Sequence, residues 1–180
     1  MAEVNEIVYV PVPGYGEWQL YATREGNLYR RRSYKNGTEK YVKIGSKSCD
    51  GYIHICIQNN CARLQAYAHV IIARTFINNP EDKPCVDHIN GDRTDNRIEN
   101  LRWATISENA QNKKKLEGTT SRYYGVCWDK NNNRWKVSIR INRKKKHVGQ
   151  FKDEEQAARA YDKAAREHYS EFARLNFPEN

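Results

Sequence analysis

The sequence contains no long apolar run. No stretch approaches the roughly 18 consecutive apolar residues that a membrane-spanning helix needs, and the mean hydropathy is -0.97. The first ten residues lack a basic segment followed by a long apolar stretch, so we expect no signal peptide. These absences predict an intracellular protein of the cytoplasm, or of the nucleus in a eukaryotic cell, that is not secreted and has no membrane partner.

The five cysteines include no CxxC pair. An odd number of cysteines without paired spacing favours reduced thiols in an intracellular protein. A zinc site that draws on Cys49, Cys56 and Cys61 is the alternative that the sequence leaves open.

Acidic residues are too few to balance the basic ones, and the imbalance is uneven. The net charge is +9, which points to a polyanionic partner. Residues 1–110 carry 14 lysines and arginines against 13 acidic residues, whereas residues 111–180 carry 17 against 9. This asymmetry predicts two modules. The polar, basic segment 113–121 is expected to link them, and its lysines could also lie along a DNA backbone.

Residues 1–66 form a predicted β-rich region. The runs Lys40–Ile44 and Tyr52–Ile57 alternate or carry β-branched residues, and turn signals such as Asn36-Gly37 separate such runs. The basic run Arg30–Arg32 fits either a phosphate contact or a solvated strand edge. The apolar spacing over residues 68–76 then predicts a helix.

The most informative segment follows, over residues 85–109. Cys85–His88 fits a short strand, residues 90–100 a polar loop, and Leu101–Ala104 a returning strand. Thr105 and Glu108 have the spacing of a capping box, which predicts a helix start. The pattern is therefore a hairpin on a helix, with Asn109 on the helix beside the strand that holds Asp87 and His88.

These residue types suit hydrolysis of a phosphodiester. A carboxylate and an amide oxygen are hard ligands for Mg²⁺ or Mn²⁺, and such an ion stabilises charge that builds up on a phosphate. A neutral histidine takes a proton from an attacking water. Asn100 is placed to bond to the loop backbone and fix the hairpin. The alternative is a purely structural hairpin with an exposed histidine.

Residues 66 to 112 resemble the HNH nuclease motif, in the version found in phage and intron-encoded homing endonucleases. The resemblance rests on Ala68-His69, Ala73, Phe76–Pro80, Val86–Gly91, Asn96–Thr105 and Ser107–Asn109. It implies that His88 is the general base, Asn100 the structural asparagine, and Asp87 and Asn109 the ligands of one divalent ion. Asn109 stands where many members have histidine, as in the asparagine-ended branch. The chain also departs from the family pattern at Val70, where a basic residue is common.

His69 is not predicted to belong to the site, because a histidine on a helix edge is more often a core or surface residue than a catalytic one. The β-rich region before residue 66 resembles, more weakly, the small β modules that often precede the motif in homing endonucleases.

The C-terminal module is predicted to be three strands followed by a helix. The predicted strands are 123–128, 134–141 and 147–151, with a basic turn over 142–146, and Asp153 caps the helix. In the central strand, Trp135, Val137, Ile139 and Ile141 make an apolar face for the helix. The opposite face is basic and is left open, as in sheets that read the DNA major groove.

Residues 122–178 resemble the plant ethylene-response-factor type of DNA-binding domain, also found fused to phage HNH nucleases. The resemblance rests on Tyr123–Val126, Trp128-Asp129, Arg134–Lys136, Ile139, Gly149–Phe151, Glu155, Ala157-Ala158, Ala160–Asp162, Ala164-Ala165 and Leu175–Pro178. It implies that the following residues face DNA: Tyr124, Arg134, Lys136, Ser138, Arg140, Lys145 and His147. Tyr124, Cys127 and His147 partly replace the plant readers, so the target sequence does not carry over.

The sequence thus predicts an α+β protein with four parts: a β-rich DNA-associated region (1–66), an HNH ββα-metal motif (67–112), a basic linker (113–121) and a DNA-binding sheet packed on one helix (122–180). The predicted function is a metal-dependent, homing-type DNA endonuclease, acting on double-stranded DNA with Mg²⁺, or Mn²⁺ as the alternative. A monomer is the simplest expectation. The rival hypothesis is a non-catalytic DNA-binding regulator with a decayed nuclease. RNA binding is disfavoured because the basic sheet lacks exposed aromatic pairs.

Overall fold

The computed structural model describes residues 8–58, 62–112, 120–141 and 144–178. The chain divides into two compact units, one up to Ala104 and the other from Thr105 onward. The strands are β1 (Val10–Pro11), β2 (Leu20–Ala22), β3 (Leu28–Ser33), β4 (Glu39–Ile44), β5 (Ser46–Lys47), β6 (Ile53–Gln58), β7 (Arg63–Tyr67), β8 (Cys85–His88), β9 (Leu101–Ala104), β10 (Val126–Asp129), β11 (Arg134–Ile141) and β12 (Lys144–Phe151). The helices are α1 (Ala68–Phe76), α2 (Ile106–Gln111) and α3 (Glu154–Tyr169). The predicted α+β fold class is confirmed.

The first unit contains two antiparallel sheets, a helix and a hairpin. One sheet has the order β1-β2-β3-β4, the other has the order β5-β6-β7, and β8 pairs with β9. A single core joins these elements, because buried side chains of the first sheet, the second sheet and α1 belong to one cluster; they include Leu20, Leu28, Ile55, Ile71 and Ile72. The hairpin that carries Asp87 and His88 therefore rests on a core built largely by the β-rich region.

Helix α1 has the bounds that its apolar spacing predicts. Ile71, Ile72 and Ala73 are buried on its inner face, and the backbone turns extended at Ile77. After the helix, the Asn79 amide bonds to both the N–H and the carbonyl of Lys83. This closes the turn that leads into β8.

The hairpin β8–β9 is fixed in register by its pairing and by one anchor. Asp87 lies opposite Arg102, and His88 lies opposite Leu101. The indole N–H of Trp103 donates to the carbonyl of Ile77 at 2.9 Å, which ties β9 to the end of α1.

The second unit begins with the predicted capping box. The Thr105 hydroxyl accepts from the Glu108 N–H, and the Glu108 carboxylate accepts from the Thr105 N–H, so α2 starts as expected. Within this unit α2 lies near the short 3-10 helix Ser170–Phe172. Arg174 donates to the carbonyl of Asn112, directly after α2.

The sheet of the second unit has the order β10-β11-β12 and packs on α3. Small residues line the inner face of the helix, as the sequence predicts; Ala157, Ala158 and Ala165 are all fully buried. Gly125 allows the same close approach, because a Cβ at its positive φ would overlap the ring of Tyr161.

The C-terminal tail is held on α3 by a buried carboxylate. Asp162 accepts from the N–H groups of Asn176 and Phe177, each at 2.8 Å. The Asn176 side chain in turn accepts from the Tyr124 N–H at 2.6 Å. Residues 176–177 thus connect the helix to the segment just before the sheet.

Two strand limits differ from the sequence-based expectation. Strand β10 begins at Val126 rather than Tyr123, because the Tyr124 N–H is taken by Asn176 and Gly125 adopts a φ of 68°. The sequence predicts a turn at Lys144–Lys146, but these residues belong to β12, where they pair with residues 139–141 of β11.

Of the expected linker, residues 113–119 lie outside the described residues, as does Cys61 of the alternative zinc site. Ser121 donates to Glu154 at 2.7 Å, and Thr120 accepts from the Trp128 N–H.

Cys49, Cys56, Cys85 and Cys127 are free thiols. Among the described residues, none of the helices is long and apolar enough to span a membrane.

Candidate active site

Asp87 is buried in β8 and is paired across the hairpin with Arg102. The side chain of Arg102 donates from Nε at 3.0 Å and from Nη2 at 2.9 Å to Oδ2 of Asp87. A carboxylate that is 5% exposed needs such a partner, because burying an unpaired charge is costly. Arg102 is absent from the sequence-based site, although the register of a two-stranded hairpin places it opposite Asp87.

His88 is 4% exposed and is held by the side chain of Asn96. Its Nε2 lies 2.9 Å from Oδ1 of Asn96. An amide oxygen only accepts hydrogen bonds, so His88 donates from Nε2 in this contact, and Nδ1 is the ring nitrogen left to act as an acceptor. The contact therefore selects one tautomer of His88. Asn96 is a second residue that the sequence-based site lacks.

Asn100 closes the loop of the hairpin. Its amide donates to the carbonyl of Asp95 at 2.7 Å and accepts from the Asn90 N–H at 3.0 Å. Its backbone carbonyl accepts from the Ile89 N–H. These are the kinds of loop bonds expected of Asn100 from its position, and they fix the backbone directly after His88.

Charged groups stiffen the same loop. Asp95 pairs with Arg97 through two bonds of 2.8 Å, and the hydrogen bonds from Arg97 lower the pKa of the Asp95 carboxyl to about 2. The loop also rests on the β-rich region, because the Ile98 N–H donates to the carbonyl of Arg24 and the turn at Gly26 touches the Asn96 backbone.

His69 lies beside His88, although no local sequence pattern indicates that it belongs to the site. The ring centroids of Tyr52, His69 and His88 form a triangle, in which His69 is 4.9 Å from each of the others and Tyr52 is 5.9 Å from His88. Burial, together with the nearby His88, lowers the pKa of His69 to about 3, so its imidazole is neutral. We call these three side chains the ring triangle.

Asn109 stands on α2, where its N–H donates to the Thr105 carbonyl at 3.0 Å. The structure thus brings Asp87, His88 and Asn100 together in the hairpin of the first unit, and places Asn109 on the short helix that opens the second unit.

The predicted DNA-facing residues of the sheet are largely cross-strand neighbours. Ser138 pairs with His147, and Arg140 pairs with Lys145; Lys136 and Arg134 lie further along β11. Val137 and Ile139, between them in sequence, are buried towards α3, so the opposite face carries the basic side chains. Tyr124 stands apart from the strands: it is half-buried against the core, with the Arg174 guanidinium 5.6 Å from its ring.

Comparisons with known proteins find HNH endonucleases that are similar to the segment that contains the hairpin. Residues 66–111 match the family model of the HNH endonucleases. Two uncharacterized HNH endonucleases of Acanthamoeba polyphaga mimivirus are similar: one is 35% identical over 57% of this chain, and the other is 33% identical over 48%. The aligned region covers 24% of each relative, so the chain spans about a quarter of their length.

A solved structure, of DNA binding and cleavage by the HNH homing endonuclease I-HmuI, has a TM-score of 0.48 and 27% identity. The match covers 59% of this chain and 57% of that one. The family match supports an HNH endonuclease domain over the segment that contains Asp87, His88, Asn100 and Asn109.

Proposed function

We propose that the chain is a metal-dependent, homing-type DNA endonuclease that hydrolyses phosphodiester bonds, with His88 as its general base. The observation that carries this proposal is the state of His88: it is buried in the hairpin, and its Nε2–H is bound by Asn96. Asn100 fixes the backbone that follows it, and Arg102 orients the neighbouring Asp87.

The donor atoms fit a hard divalent cation. Asp87 contributes a carboxylate and Asn109 an amide oxygen, and oxygen ligands of this kind suit Mg²⁺ first and Mn²⁺ as the alternative. The resemblance to the HNH motif assigns Asp87 and Asn109 as the ligands of the ion, which would supply charge stabilisation at the phosphate when bound.

His88 acts through Nδ1. Because Asn96 retains the proton on Nε2, the lone pair on Nδ1 accepts a proton from the attacking water. Asn100 and the Asp95–Arg97 pair keep the loop rigid, and so maintain the direction of the ring during proton transfer.

The sheet of the second unit supplies recognition of double-stranded DNA, in the manner of an ethylene-response-factor type domain. The basic face is the support for this role. Arg140 and Lys145 are exposed cross-strand neighbours, and such pairs neutralise phosphates along a groove. Arg134, Lys136, Ser138, His147 and Tyr124 are the further contacts expected from the resemblance.

Digestion of a supercoiled plasmid with Mg²⁺ tests the catalytic proposal. Wild-type protein is expected to nick or cut the plasmid, and His88→Ala to stop cutting while DNA binding in a gel-shift assay is retained. His168→Ala, at an exposed position of α3, is the matched control and should cut normally. Cutting that persists in His88→Ala would remove His88 from the mechanism. Tight binding without cutting by the wild type would favour the regulator with a decayed nuclease.

Arg140→Ala tests the recognition face. The variant should bind DNA more weakly and with a salt slope lower by about 1, because one phosphate contact is lost. Arg159→Ala removes another exposed positive charge, from α3, and should leave both quantities nearly unchanged. Equal effects of the two substitutions would place the interface elsewhere.

A further inference from the structure

We propose that His69 is a positioning residue for His88, in which the His69 ring forms one wall of the His88 pocket. This proposal rests on the proposed function, since it assigns the support of the proposed general base. The two imidazole centroids are 4.9 Å apart with planes at 56°. His69 projects from α1 and His88 from β8, so the wall comes from a different element than the base.

The other two residues of the ring triangle, His88 and Tyr52, each have further contacts. His88 is bound through Nε2 to Asn96. Tyr52 follows the turn at Asp50, whose carboxylate accepts from the Tyr52 N–H at 3.1 Å. Arg93, from the hairpin loop, lies 4.7 Å over the Tyr52 ring and donates to the Asp50 carbonyl at 2.7 Å. His69 therefore adds a second contact to the His88 ring, from a side chain that itself stacks on Tyr52.

Stability alone does not account for a histidine here. His69 is 7% exposed, and its Nδ1 has no hydrogen-bond partner within the described residues. A buried polar atom without a partner lowers stability, so an apolar side chain would stabilise the core more. A flat, neutral ring satisfies a different requirement: it stacks on Tyr52 at 29° and at the same time lies against the His88 ring.

Removal of the His69 ring would leave one side of His88 open. The His88 ring would then sample orientations in which Nδ1 no longer points to the attacking water, and misplacement of a reacting group by about 1 Å costs up to about a hundredfold in rate. DNA contacts elsewhere would be unaffected. The expected signature is a lower kcat at an unchanged KM.

The experiment compares three variants of the full chain, His69→Ala, His69→Phe and Ile72→Ala, in steady-state cutting assays with Mg²⁺ over a range of DNA concentrations. His69→Ala should lower kcat by about ten- to a hundredfold, with KM within about twofold of the wild type. His69→Phe restores a flat ring and should recover most of the rate. Ile72→Ala deletes a fully buried side chain of the same helix and should lower stability but not kcat.

Nuclear magnetic resonance gives a readout that does not depend on cutting. Long-range proton–nitrogen spectra of His88 should show the Nε2–H tautomer in the wild type and in His69→Phe. In His69→Ala they should show broadening or a mixture of tautomers, because the His88 ring loses the contact on its His69 side and its bond to Asn96 is less well aligned.

Three results would overturn the positioning role: a wild-type rate in His69→Ala, a raised KM at unchanged kcat, or His69→Phe as slow as His69→Ala. A wild-type protein that does not cut DNA would refute the proposed function instead. In that case the spectra still decide the positioning role, since an unchanged His88 signal in His69→Ala contradicts it.

Discussion

Gly26, in the β-rich region, packs against the hairpin loop of the proposed active site, and its replacement by alanine should lower stability and disturb that loop. Gly26 lies in the turn between β2 and β3, with a φ of 82°. A Cβ at this position would overlap the backbone of Asn96 and Arg97. Asn96 is the residue that binds His88, so the substitution presses on a direct partner of the proposed base.

The expected loss of stability has two parts. An alanine at positive φ costs about 1 kcal/mol relative to glycine. Displacement of a packed backbone adds about 1–3 kcal/mol, the usual cost of overpacking. Gly37 provides a matched control, because it has a φ of 80° in a β-turn and a Cβ there would meet no other atom within 4 Å. Gly37→Ala should therefore carry only the first part.

Urea denaturation of the two variants measures the difference, and single-turnover cutting well below the melting temperature measures the consequence for His88. Gly26→Ala should be less stable than Gly37→Ala by about 1–3 kcal/mol and slower in cutting, while Gly37→Ala cuts at the wild-type rate. Equal destabilisation by both substitutions would show that a Cβ at residue 26 does not displace the backbone of Asn96 and Arg97. Normal cutting by a destabilised Gly26→Ala would separate the loop backbone from the function of His88.

Two further results are expected. Arg102→Met removes the cation beside the buried Asp87 and should cost about 3–5 kcal/mol in chemical denaturation, whereas Arg97→Met breaks a pair whose arginine side chain is 62% exposed and should cost under about 1 kcal/mol; similar losses would contradict the importance of burial. Burial depresses the pKa of His69 from 6.5 to about 3, so between these values the unfolded chain binds more protons than the folded one. Stability should thus fall as the pH is lowered through this window, by at most about 1.4 kcal/mol per pH unit. In His69→Phe the slope should be smaller, and an equal slope would assign the acid sensitivity to other groups.

Local signals explain why much of the hairpin and its flanking helices could be predicted. The bounds of α1, β8 and β9 follow from short-range patterns: apolar spacing in the helix, and brief β-branched or aromatic runs in the strands. The capping box at Thr105 needs only four residues of sequence. None of these elements depends on a distant part of the chain for its identity.

The residues that sequence reasoning missed depend on tertiary contacts instead. His69 precedes His88 by 19 positions and comes next to it only because α1 packs behind the hairpin. Asn96 belongs to a recognisable loop motif, but its bond to His88 requires the loop to fold back on the strand. The basic run Lys144–Lys146 favours a turn because lysine is a weak strand former; pairing with β11 overrides that preference.

The β-rich region supports the proposed active site by packing against it. Ile71 and Ile72 of α1 are buried in a cluster that includes Leu20 and Ile55, so residues 66–111 alone would expose the inner face of their own helix. The loop after His88 also donates hydrogen bonds to this region: the Ile98 N–H to the Arg24 carbonyl and the Arg93 guanidinium to the Asp50 carbonyl. Because burial of large apolar side chains is the main source of stability, we expect residues 66–111 to be less stable without the preceding sheets. The same region also contacts the neighbours of His88, since Tyr52 stacks on His69 and the Gly26 turn packs against the Asn96 backbone.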